Sequence, residues 1–467
     1  MASAWWRRFH ARHLAGEGGV LELLPIAVPM FLSSVFDMLQ MMIDRVFLAH
    51  VGKVQQAAAM SGGVTSWMCL CLFAGMIGYS SALVAQYCGA GARDDAARVF
   101  WQAIRLSFLC YPLVLLVDFL VANCTPVFSG HSPLEQALET RYFWYMAFGS
   151  ILALVRFALG SFFAGIGRTG IVMAANAVAM VVNVVANWAL IFGHCGFPAL
   201  GLDGAAIGTL VSGALMCAML AAAFLKVAGS PEYRGSGAAA RRRDAGLLAK
   251  LVRYGLPQGV ENLLGCMSFV VLVTSFHRYG EDMAAATTIA FNWDGMSFHP
   301  LLGIQVGVTT LVGRAMGRER PDVAARVGHS GFKVGLAYAF FMVAVFSAVP
   351  QLLVGIFTPD GEDLDYAKVR EYAVPMLRLV GLYLVTDAVQ LMSAGVLRGA
   401  GDTFWSMVIT MCRDWTVAAS VLVCVHLLGL GPMQTWTAFV GTVVVCSVPL
   451  FLRYRSGKWK TLRIIKD

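Results

Sequence analysis

Four polar residues in one early apolar stretch, Ser33, Asp37, Gln40 and Asp44, follow one another at i, i+4, i+7 and i+11 and so lie along one face of an α-helix. Their neighbours are Met38, Met41 and Met42, with Phe and Leu residues on either side. Inserting one charged side chain into a bilayer costs at least about 2.5–3.5 kcal/mol, so such a stripe must face a cavity rather than lipid. Asp37 and Asp44 are about 10 Å apart along a helix axis, a separation at which an ion could be held at two depths. Arg156 lies near the middle of a later apolar stretch, too deep to reach water easily, and Asp37 is the carboxylate it would pair with. Asn183 and Asn187 share a face at i, i+4, and Thr209 follows Gly204-Ala205-Ala206. Oxygens of these types help hold a cation or tie helices together.

The second half of the chain has its own acids, Glu261, Asp294 and Asp387, each in the middle third of an apolar stretch. Three carboxylates in one lobe call for a cation or for protons, and carboxylates in such surroundings can bind and release both. His299, just beyond Asp294, reads as a cavity-lining residue, because no second ligand stands at metal-site spacing. No metal is expected beyond Na⁺, and no cofactor.

The elements that position these residues are long apolar helices. The 467 residues are 58% hydrophobic and only 13% charged, a balance that suits a membrane and not water. A spanning helix needs roughly 20 mostly apolar residues, and twelve such stretches begin near residues 22, 57, 99, 142, 171, 204, 248, 284, 327, 371, 403 and 434. The chain also repeats itself. Gly89 to Val99, with its Arg93-Asp94-Asp95, is echoed by Gly317 to Val327, and Leu24-Pro25 by Leu256-Pro257. Two similar membrane halves around a central cavity are the plan of a transporter. The expected fold class is therefore all-α, with about twelve transmembrane helices in two six-helix pseudo-symmetric lobes. The expected division is an N-terminal segment 1–21, an N-lobe 22–228, a linker 229–247 carrying Arg241-Arg242-Arg243, a C-lobe 248–455 and a tail 456–467.

Basic residues collect in loops on one side, among them Arg7, Arg8, Arg93, Arg168, Arg241 and Lys458, whereas the other side has few, such as Lys53, Arg278 and Lys368. By the positive-inside rule both termini are expected in the cytoplasm, and the formal charge of +8 is a topology signal, with no nucleic-acid partner implied. The first apolar run is too long for a cleaved signal peptide and has no small-residue cleavage site. No Gly-x-x-x-x-Gly-Lys-Ser/Thr loop occurs, so any pumping must draw on an ion gradient or a partner. Gly399-Ala400-Gly401-Asp402 is a poor match to an intramembrane aspartyl protease because no Tyr-Asp partner lies in a span; no enzyme activity is expected. The 11 cysteines have no metal spacing, and Cys124 and Cys195 are the one pair that could meet near the outer helix ends.

These motifs, in order, resemble the MATE (multidrug and toxic compound extrusion) family. Carrying the resemblance are Leu24-Pro25, Asp44 to Gly52, Asn183 to Gly193, Gly201 to Thr209, Val312-Gly313 with Gly317, and Asp387 to Gln390 through Leu397-Arg398-Gly399-Ala400-Gly401-Asp402-Thr403. The resemblance implies a V of two six-helix lobes and export of bulky, often cationic or aromatic compounds in exchange for Na⁺ or H⁺, from the inner membrane. It implies that Asp44, Asn183 and Thr209 form the N-lobe cation site and that Asp387, with Glu261, serves the C-lobe. Asn187 stands where one branch has a second Asp, so that lobe has lost an acid. A Na⁺ ion would then find more negative charge near Asp387. Met38, Gln40, Met41, Phe291, Phe298 and Gln390 are expected to line the substrate cavity of a monomer that contacts lipid and small organic molecules. The nearest rival is a flippase of lipid-linked or other amphipathic substrates in the same superfamily, which would be expected to have extra spans and a cationic cavity.

Overall fold

A computed structural model describes residues 16–128, 132–228, 240–357 and 366–465, the side chains of 124–128 excepted. The pairing of Cys124 with Cys195 lies outside the described residues. The described chain is built of helices: α1 (Val20–Val51), α2 (Lys53–Gly78), α3 (Ser80–Gly89), α4 (Arg93–Phe128), α5 (Pro133–Gly165), α6 (Thr169–Phe192), α7 (Leu202–Ala228), α8 (Ala245–His277), α9 (Glu281–Gly317), α10 (Pro321–Ala348), α11 (Pro350–Gly355), α12 (Ala367–Ala400), α13 (Thr403–His426), α14 (Pro432–Cys446) and α15 (Val448–Arg455). Eleven spans are long and apolar enough to cross a membrane, α2 with α3 and α14 with α15 each making one. The twelfth, α9, is 37 residues long, but Thr287, Thr288, Asn292, Asp294, His299 and Gln305 interrupt its apolar run. Even the 24-residue α6 reaches about 36 Å, enough for a hydrocarbon core of about 30 Å.

The helix ends follow local chemistry. Ser132 caps α5 by accepting from the Glu135 backbone N–H at 3.3 Å, with Pro133 in the first turn, where its missing N–H costs nothing. Gly401 closes α12 with φ +96°, a left-handed conformation that a side chain would strain. Next to it Asp402, 6% exposed, accepts from Arg453 Nε at 2.8 Å, so this acid ties α12 to α15. Large apolar side chains such as Phe341, Leu352 and Leu427 are exposed, as they must be where the surrounding medium is lipid.

The chain divides into two compact units. One comprises Leu32–Leu263 with Gly317–Glu319; within it α2 packs on α5, and α6 and α5 both pack on α7. The other comprises the chain up to Phe31, Leu264–Met316 and Arg320 onward; within it α10 and α14 pack on α12, and α13 packs on α14. The unit boundaries fall inside α1 and α8, between Phe31 and Leu32 and between Leu263 and Leu264. Fully enclosed large side chains include Trp436, Phe276, Phe346 and Trp459 in the second unit and Tyr79, Phe162 and Phe163 in the first.

Candidate functional site

In the first unit, α1 and α6 are joined by polar contacts at two levels. Asn176 Nδ2 donates to the Ser33 carbonyl and to Ser33 Oγ, both at 2.9 Å. Asn187 Nδ2 donates to Asp44 Oδ1 at 2.5 Å. The contacts are eleven residues apart on both helices, three turns, so the same stripe of each faces the other at both levels. Asn187 also donates to Asn183 Oδ1 at 3.2 Å, and both asparagines are completely buried. Asn187 Oδ1 finds no hydrogen-bond partner among the described residues. It lies against Gly208 of α7, where a Cβ would collide with it. Thr209 spends its hydroxyl proton on the Ala205 carbonyl at 3.0 Å, which leaves its oxygen lone pairs available.

Asp44, Tyr142 and Thr209 line a cavity of about 330 Å³, together with Asp37, Gln40, Met41, Trp67 and Arg156. Arg156 Nη1 is 3.6 Å from Asp37 Oδ1. Both side chains are partly exposed to the cavity, 33% and 52%, so water weakens their attraction. Met38, on the same helix, is half-buried and does not line this cavity.

The oxygens of Asp44, Asn183, Asn187 and Thr209 are the hard donors a Na⁺ would need. Asn187, however, turns an N–H toward the Asp44 carboxylate. A metal ion at that carboxylate oxygen would need this amide to turn its oxygen there instead. A proton needs only the one carboxylate.

In the second unit, Asp387 of α12 is 5% exposed and its Oδ1 accepts from Arg413 Nη2 of α13 at 2.5 Å. Arg413 Nη1 is also 3.5 Å from Asp414 Oδ1, and Ser268 Oγ donates to the Asp414 carbonyl at 2.8 Å. Asp294 and Tyr383 face each other and lie close enough to Asp387 to feel its charge. Glu261, 7% exposed, belongs to the first unit. Of the cavity residues expected here, Phe291 is packed into an aromatic core, its ring centroid 5.2 Å from Phe269 and 5.3 Å from Trp436. Phe298 packs against the other apolar core of that unit. Gln390 is 6% exposed and accepts from Ser447 Oγ at 3.4 Å.

Sequence reasoning missed Arg413 and Asp414. A base and an acid in the middle of the apolar run from Phe404 to Val425 would have given them away. It also missed two buried acids in the first unit. Asp118 of α4, 1% exposed, lies beside Cys69. Glu139 of α5 accepts from Ser61 Oγ at 2.5 Å.

Long apolar helices whose buried carboxylates face amides, a guanidinium and an internal cavity define a membrane transporter. The chain belongs to the MATE family: the MatE family model matches residues 29–189 and 257–421. Its members are membrane transporters rather than enzymes. The chain is 26% identical over 451 residues to a probable multidrug resistance protein NorM of Thermotoga maritima, covering 95% of this chain and 94% of that one. To the corresponding protein of Brucella suis biovar 1 it is 29% identical over 368 residues, covering 78% and 76%. Its fold matches a crystallised MATE in complex with MaL6 at a TM-score of 0.86 and 19% identity, covering 94% and 96%. An outward-facing multidrug resistance MATE transporter of the MOP superfamily matches with a TM-score of 0.85, 19% identity and the same coverage.

Proposed function

We propose that this protein is a secondary active antiporter that exports bulky cationic or aromatic compounds across the inner membrane, with Asp44 exchanging the coupling ion and the proton as that ion. The names of its relatives support multidrug efflux. The observation that carries the coupling is the part-buried contact of Asp44 with Asn187 beside a cavity lined by Trp67, Met41 and Tyr142. A single carboxylate with amide neighbours has two well-defined states. When ionised, it accepts the Asn187 N–H. When protonated, its O–H can donate to an amide oxygen, and a half-turn of the Asn187 side chain supplies one. Such a change alters which contacts hold α1 to α6, and an ion moves a conformational equilibrium only through such a differential.

The cavity's aromatic and methionine walls fit apolar bodies of varied shape, and Asp44, when ionised, supplies negative charge for a cation, since Arg156 stands against Asp37. The protein works as a monomer, with both termini in the cytoplasm and lipid around its apolar faces. The deciding experiment is efflux of a fluorescent organic cation from proteoliposomes with the Na⁺ and proton gradients imposed separately. Efflux driven by the proton gradient and lost in Asp44→Asn is expected. Efflux driven by Na⁺ alone, or undiminished in Asp44→Asn, overturns the reading.

A further inference from the structure

We propose that Arg413 is a built-in counter-cation that closes the acidic site of the second unit to free monovalent cations, so that Asp387 anchors α12 to α13 and does not exchange an ion. The geometry carries this. Asp387 lies in the interior of α12 and Arg413 in the interior of α13, and the two meet at 2.5 Å with 7% and 14% of their side chains exposed. A hard cation on a carboxylate sits at roughly the same distance from its oxygen as this guanidinium nitrogen. The place a sodium ion would take on that oxygen is filled.

Arg413 also cannot vacate it cheaply. A guanidinium does not lose its proton in a protein, so opening the site would require moving a full positive charge away from its partner in a region of low dielectric. A second contact holds it, since its other terminal nitrogen faces Asp414, whose backbone carbonyl is itself fixed by Ser268. A lysine or a water-exposed arginine would make a looser stopper. A planar guanidinium between two carboxylates is held at both ends. Of the acids counted along the second half of the chain, Asp387 is the one Arg413 holds most closely, and Asp414 shares the same guanidinium. Proton exchange at Asp44 is a separate matter, and an Asp44→Asn background keeps the two apart.

The test is sodium binding to purified full-length protein, measured with radioactive sodium at equilibrium in the absence of organic substrate. In Asp44→Asn protein, further change of Asp387→Asn should leave sodium binding unaltered. Adding Arg413→Gln to Asp44→Asn should uncover saturable sodium binding, about tenfold or more above the parent, that Asp387→Asn then removes. Arg413→Lys keeps a positive charge and should uncover less than Arg413→Gln does. Sodium binding that depends on Asp387 while Arg413 is intact overturns the proposal, and this arm needs no change at Arg413. Folded Arg413→Gln protein that gains no sodium site overturns it as well. The proton-driven efflux assay is unaffected by either result, so a failure here does not masquerade as a failure of coupling at Asp44.

Discussion

Replacing Asn187 by Asp should turn the first unit into a cation-requiring site. The amide nitrogen of Asn187 lies 2.5 Å from Asp44 Oδ1, and an aspartate has the same shape with an oxygen in that place. The substitution thus exchanges a hydrogen bond for a carboxylate pair in contact. Two unit charges about 4 Å apart at an effective dielectric of 20 repel by about 4 kcal/mol. The geometry gives the pair no room to separate, because Asn187 is fully buried and Gly208 lies directly against it. Either a proton or a cation must therefore sit between the two groups. Asn183 Oδ1 and Thr209 Oγ1 complete an oxygen set for Na⁺. Relief of about 4 kcal/mol corresponds to nearly three orders of magnitude in affinity. A site that reaches millimolar affinity would stabilise the protein by about 2.7 kcal/mol when sodium stands at a hundredfold excess over Kd. The assay is thermal unfolding of detergent-purified protein in sodium against choline at equal ionic strength. Asn187→Asp should melt higher in sodium, and the natural protein should show no difference. If Asn187→Asp is stable and indifferent to sodium while the natural protein is stabilised by it, Asn187 is not what keeps a metal ion out, and the proton assignment fails with it.

Asp44→Asn should retain substrate binding in detergent while ion-driven efflux from proteoliposomes is lost, because the amide preserves shape and cannot take up a proton. Equal efflux by the two proteins would remove Asp44 from the coupling step. Asp37→Asn and Arg156→Gln, tested singly and together in a stability cycle, should show a coupling of less than about 1 kcal/mol, since both side chains are partly exposed in the cavity; a coupling several times larger would mean the cavity is dry around them. Gly208→Val should lower the melting temperature sharply, because its Cβ would meet Asn187 and the side chain beyond it has nowhere to go; normal stability with normal efflux would show that α6 and α7 can part without cost. Asp402→Ala should destabilise the protein by about 3 kcal/mol, as it leaves Arg453 partly buried and unpaired, and a melting temperature within a degree of the natural protein would show that the α12 to α15 tie is dispensable.

Much of this protein could be read along the chain, because its controlling physics is one-dimensional. Lipid demands long uninterrupted apolar helices, so spans are visible as runs, and a charge inside a run stands out by its cost. The helical period then tells which residues share a face. This is why Ser33 and Asp44 on one helix, and Asn183 and Asn187 on another, were legible as polar stripes, and why Asp37 and Arg156 could be matched as opposite charges. Periodicity names the face of a helix but not what lies across from it, and the tertiary structure decided those partners. Asn187 meets Asp44 because α1 and α6 are in register at two levels eleven residues apart, a match that exists only between helices. The same holds for Asp387. Along the chain it is one of three acids without a base, and its neighbour in space, Arg413, comes from the next helix. So it is with Phe291, whose ring neighbours Phe269 and Trp436 come from two other helices. The amino acids set the cost of every buried charge in advance; only the packing of one helix on another decided how each cost is met.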